Sequence, residues 1–133
     1  MTNPGGPQVL LAGDVGDVQR IRMVLDHAVP CVYGQIYIEI EDGQAYRVRA
    51  MLPEDLPDGL SLTLLTRGPA SAPGETLASA LTGWAAEWAT DDATETDEII
   101  AMWVGCSGTP AVDVVCRSLA ARLNRTPVHL HRD

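Results

Sequence analysis

The sequence predicts a doubly wound α/β fold, a mostly parallel five-stranded sheet with helices on both faces. Three observations carry that expectation. Short apolar runs rich in Leu, Ile and Val alternate along the chain with amphipathic stretches of helical period. Several of the transitions between them fall on Gly, Pro or Asp, the residues that turn a chain or stop a helix. Finally, 133 residues at 46% hydrophobic and 20% charged are enough for one domain with its own core and too few for two.

In chain order, QVLLAGD (8–14) reads as a buried strand with its exit turn. VGDVQRIRMVLDHA (15–28) then sets Val18, Ile21, Val24 and Leu25 near helical period, and Pro30 stops it. GQIYIEIEDG (34–43) alternates, with Ile36, Ile38 and Ile40 facing one way and Tyr37, Glu39 and Glu41 the other. That is a strand with one face better covered than the other. Asp42-Gly43 suits either a hairpin onto AYRVRAM (45–51) or a plain connecting loop. A Pro- and Asp-rich link (52–59) leads to the strand LSLTLLTRG (60–68), and PASAPGE (69–75) reads as loop.

A helix follows over about 76–90, in which Leu77 and Leu81, like Trp84 and Trp88, stand four apart and form one stripe. Such a stripe is the face a helix buries against a sheet, and strand-end carbonyls are expected to accept the indole N–H groups. An acidic loop (90–98) precedes the strand IIAMWVG (99–105). Thr109-Pro110, a cap residue and a first-turn proline, opens a helix to residue 124 with Val112, Val115, Leu119 and Leu123 on one stripe. TPVHLH (126–131) closes the chain as a last strand, and residues 1–7 are expected to form a flexible leader to a single domain at 8–133.

Eighteen acidic against nine basic residues give a net charge of −9, which repels phosphate backbones and anionic lipid. Nucleic acid and membranes are therefore not expected as partners. No apolar run reaches the length of a membrane span, and MTNPGGPQ lacks the features of a signal peptide. Three dispersed cysteines, Cys31, Cys106 and Cys116, read as reduced thiols, which points to the cytoplasm. Ser107 does not form a nucleophile elbow because Thr109 stands where that motif needs glycine. His129 and His131 share a strand face without a third metal ligand, and Asp91, Asp92, Glu95, Asp97 and Glu98 lack calcium-loop spacing. No catalytic or metal residue is assigned.

Ligands of doubly wound folds sit at the carboxyl ends of the strands, which singles out the turns at 13–17, 66–69 and 105–109. VLLAGD, GQIYIEIED, LSLTLLTRG, ALTGWAAEW and AMWVG, in this order and spacing, resemble the C-terminal half of siderophore-interacting proteins over about residues 8–131. These are bacterial ferric-siderophore reductases built like ferredoxin reductases, with a flavin barrel ahead of an NAD(P)H-binding α/β domain. The resemblance implies the fold of that second domain and three ligand turns. Gly13, Asp14 and Gly16 would meet the pyrophosphate, Thr66 and Arg67 the 2′-phosphate of NADPH, and Gly105 and Cys106 the nicotinamide end.

The chemistry of those residues can be read beside the resemblance. Gly13 and Gly16 let a backbone come close to a ligand, whereas Asp14 and Asp17 place negative charge there. Asp17 also suits a helix cap or first-turn acid. A Thr66 hydroxyl with an Arg67 guanidinium fits a phosphate, although an arginine can equally end a strand in water. Cys106 ahead of a helix reads as an activated thiol or as a small buried residue.

By resemblance, then, the chain is a nicotinamide-nucleotide-binding domain of siderophore and iron metabolism. NADPH would be its cofactor, FAD would not be held by this chain, and a flavoprotein supplied in trans would pass electrons to a ferric siderophore. The alternative is a non-catalytic, degenerate copy serving as a binding or protein-interaction module, including a homodimer.

Overall fold

The computed structural model describes residues 8–27, 33–53, 56, 59–88, 100–106, 109–123 and 128–132. Five strands run parallel: β1 (Gln8–Asp14), β2 (Tyr33–Ile40), β3 (Gly59–Thr66), β4 (Ile100–Val104) and β5 (Val128–Arg132). Their order in the sheet is β3-β2-β1-β4-β5. The chain thus moves outward from β1 on one side, then returns to place β4 on its other side. That reversal makes the gap between the β1 and β4 exits the point where a crevice opens in such folds.

The helices are α1 (Val18–Asp26), α2 (Ala45–Met51), α3 (Glu75–Trp88) and α4 (Pro110–Leu123), with one 3-10 turn at Val15–Asp17 between β1 and α1. Successive strand residues point to opposite faces, so each inner strand feeds two cores. Leu11, Ile36, Ile38 and Ile40 pack with Val18, Ile21 and Leu25 of α1 and Val48 of α2. On the other face, Leu10, Ala12, Met102 and Val104 pack with Leu77, Leu81 and Trp84 of α3 and Val112, Cys116 and Leu119 of α4. Fully burying each large aliphatic side chain contributes about 1.5–3 kcal/mol.

The doubly wound architecture and the apolar stripe of the tryptophan helix agree with the sequence reading, and Trp84 is only 2% exposed. The expected partner for its indole is not found. Among the described residues, Nε1 of Trp84 has no hydrogen-bond acceptor. Residues 45–51 are helix α2, neither a hairpin strand nor a loop. Only Val48 of that helix is fully buried, while Tyr46 is 86% exposed. The period-two spacing of Tyr46 and Val48 therefore did not mark a sheet face. Val24 of α1 is exposed although its spacing placed it with the core.

The leader, Cys31, the acidic stretch 91–98 and Ser107 lie outside the described residues, as do the side chains of Trp88, Leu123, His129 and His131. Among the described residues no helix is long and apolar enough to cross a membrane.

Candidate functional site

The carboxyl ends of β1 and β4 are joined by Asp17. Strand β1 ends at Asp14, whose extended backbone and side chain cap the 3-10 turn by accepting the Gly16 N–H at 2.9 Å. Asp17 completes the capping box from the other side, accepting the Asp14 N–H on Oδ2 at 3.0 Å. The same oxygen accepts the Cys106 N–H, 2.9 Å away at the exit of β4. Asp17 makes no side-chain cap to α1 itself, so its role differs from a simple helix cap. Asp17 is buried, its side chain 8% exposed, with the Arg20 guanidinium 3.9 Å from Oδ1.

Gly13 and Gly105 make room for that carboxylate. A Cβ on Gly13 would lie 2.7 Å from Cβ of Asp17, and one on Gly105 would overlap the carboxyl group. The space their missing side chains leave is filled by the chain's own anion. Cys106 holds a left-handed backbone at φ 56°, uncommon for a residue with a Cβ, and is 5% exposed. Burial pushes its thiol pKa well above the ordinary value, and the Asp14 and Asp17 charges push it further. A thiol held protonated is a poor nucleophile, which leaves the small-buried-residue reading of Cys106. Burial, followed by the Asp17 charge, also raises Asp14 above the usual carboxylate range.

The β2 and β3 exits carry a second arrangement. Register pairs Ile40 with Thr66, and the Arg67 N–H continues the ladder to the Ile40 carbonyl at 2.7 Å. The Arg67 guanidinium is ion-paired to Glu41 through Nη2 and lies 3.9 Å from Glu39 Oε2 through Nη1. Glu39 is 4% exposed and accepts the N–H groups of Gly74 at 2.8 Å and Leu77 at 3.0 Å. A residue on the sheet thereby satisfies the free N–H groups at the start of α3, where negative charge is favoured.

A cleft of about 200 Å³ opens beside these exits, lined by Asp14, Val15, Gly16, Glu39, Ile40, Glu41, Gln44 and Arg67. Of the residues the sequence singled out, Asp14, Gly16 and Arg67 meet at this cleft, while Gly13, Gly105 and Cys106 surround Asp17. Thr66 is exposed and stands outside the lining. Glu39 and Glu41 were missed as site residues. The signal was present, since a glutamate on an inner strand of a parallel sheet is out of place unless something satisfies it.

A siderophore interacting protein from Acinetobacter baumannii superposes with a TM-score of 0.60 at 18% identity, over 98% of this chain and 48% of that one. A siderophore utilization protein from T. fusca gives 0.59 at 18% identity, over 98% and 46%. This chain has their fold. It spans about half the length of either. No protein-family model and no curated protein sequence matches it. The fold expected from the resemblance is therefore the fold observed, at an identity that leaves the site to be argued from its own residues.

Proposed function

We propose that this domain keeps the nicotinamide-side fold of a ferric-siderophore reductase as a non-catalytic binding or protein-interaction module. One observation supports this reading above the others: Arg67, the cation at the strand ends, is already engaged by Glu41 and Glu39. A dinucleotide phosphate arriving there competes with two carboxylates for one guanidinium, beside Asp14 on the next strand exit. With three acids, Asp14, Glu39 and Glu41, sharing the cleft with one arginine, the local potential favours cationic over phosphorylated partners.

An NADPH titration followed by amide chemical shifts on labelled protein tests the reading, with Arg67→Ala as control. The expected outcome is no saturable shift at residues 13–17 or 66–68 at millimolar NADPH. Saturable shifts at both turns, weakened in Arg67→Ala, overturn it. They would restore the reductase reading, with NADPH bound here and a flavoprotein supplied in trans.

A further inference from the structure

Strand β3 reads GLSLTLLT, eight residues without a charge or a proline, and it forms one edge of the sheet. Its register against β2 runs unbroken from Gly59 to Thr66, so no bulge turns the edge aside. Edge strands are normally blunted by Lys, Pro or a bulge, because their unpaired N–H and C=O groups accept another strand. The Arg67 N–H points inward to the Ile40 carbonyl, and these backbone directions alternate along a strand. Leu60, Leu62, Leu64 and Thr66 therefore turn their N–H and C=O groups outward. Among the described residues, β3 pairs with β2 alone. We propose that this edge pairs antiparallel with β3 of a second copy of the chain, giving a two-fold symmetric dimer with one sheet running through both.

A second copy is favoured over a foreign strand because the edge complements itself. A two-fold axis perpendicular to the sheet at Thr63 sets Leu60 opposite the partner's Thr66 and Leu62 opposite the partner's Leu64. Every outward N–H and C=O of both edges then meets a mate. Thr63 falls opposite the partner's Thr63, a favourable cross-strand pair, and no like charges meet along the strand. Leu62 and Leu64, only partly buried at this edge, cover each other across the seam. Ser61 and Thr63 on the other face are exposed, which leaves room for an approaching strand. Elsewhere two copies, each at −9, repel one another, whereas the seam is uncharged. Raising salt should therefore tighten this dimer, while a complex held by the acidic cleft would loosen. The pairing deepens the protein-interaction reading by naming the partner, and rests on that reading for its biological consequence.

Sedimentation equilibrium tests it on wild type and on two variants of equal charge, Thr63→Lys at the seam and Met23→Lys at an exposed position on α1. Wild type and Met23→Lys are expected to be dimeric at about 100 µM protein, more so in high salt. Thr63→Lys sets two ammonium groups opposite each other and should dimerise at least about fivefold more weakly. Directly opposed residues of a non-hydrogen-bonded pair have Cα atoms about 4.5 Å apart, within disulfide reach. Thr63→Cys should accordingly cross-link to its own copy on oxidation with diamide, and Ser61→Cys, offset from its own copy in this register, no more than wild type. Wild type that remains monomeric at about 1 mM overturns the proposal. So does a dimer that Thr63→Lys leaves as tight as Met23→Lys does, one that salt loosens, or one in which Ser61→Cys cross-links as readily as Thr63→Cys. Saturable NADPH shifts with the dimer intact would refute the functional reading alone, so the two failures are distinct.

Discussion

The β1/β4 exit and the β2/β3 exit both present groups that could hold an anion, and in both the chain supplies its own. They do so by different physics. At β1/β4 the donors are backbone N–H groups and the Asp17 side chain is 8% exposed, so its charge is held by hydrogen bonds away from water. At β2/β3 the donor is a guanidinium 21% exposed, and one of its two partners, Glu41, has a side chain 62% exposed. Hydrogen bonds to a buried charge are costly to break, whereas partly exposed ion pairs are screened and contribute little. The difference teaches that the first exit is part of what holds the fold together, and the second can be altered at small cost.

The largest effect expected from this contrast is at Asp17. Asp17→Ala leaves the Asp14 and Cys106 N–H groups without their acceptor, and denaturant unfolding should report a loss on the order of 3 kcal/mol, insensitive to salt. A loss that shrinks as salt is raised would show the first exit to be as solvent-screened as the second. Arg67→Ala should cost about 0.5 kcal/mol at low ionic strength and less at high, since Glu39 keeps its bonds to Gly74 and Leu77. A cost comparable to that of Asp17→Ala would erase the contrast.

The smallest effect is at Asp14. Its raised pKa means that the folded state holds that proton more tightly than the unfolded chain does, so folding is penalised once the carboxyl ionises. The penalty grows as the pH rises through the ordinary carboxylate range and disappears below it. Asp14→Asn keeps an acceptor for the Gly16 N–H, so its stability should exceed that of wild type at pH 7 by less than about 0.5 kcal/mol and converge with it in acid. A variant that is less stable at pH 7 would mean that the charge on Asp14 favours folding.

Most of the fold was legible because its signal is local. Ile36, Ile38 and Ile40 alternate, Leu77, Leu81 and Trp84 share a helical stripe, and all six side chains are buried. Helix α2 was not legible, because seven residues with one buried valine carry no helical period, and Tyr46 two residues before Val48 imitates a strand. At the site, the glycine turns and Arg67 could be found from spacing. Their occupants could not. Asp17 reaches Cys106 across 89 residues and Glu39 reaches Leu77 across 38, contacts that exist only once the sheet has brought the strand exits together. Gly13 and Gly105 look the same in sequence whether the space above them is meant for a ligand or for a neighbouring side chain.

The central place of β1 in the sheet also has a kinetic side. Its partner β4 is the fourth strand made, and the Asp17–Cys106 bond closes a loop spanning 89 of the 133 residues. Closing so long a loop is entropically expensive and slow, so the α1/α2 half of the sheet can assemble around β1 before β4 arrives. Asp17 then acts as a late fastener. It contributes little to how fast the chain finds its fold, and much to how long the fold, once closed, resists opening.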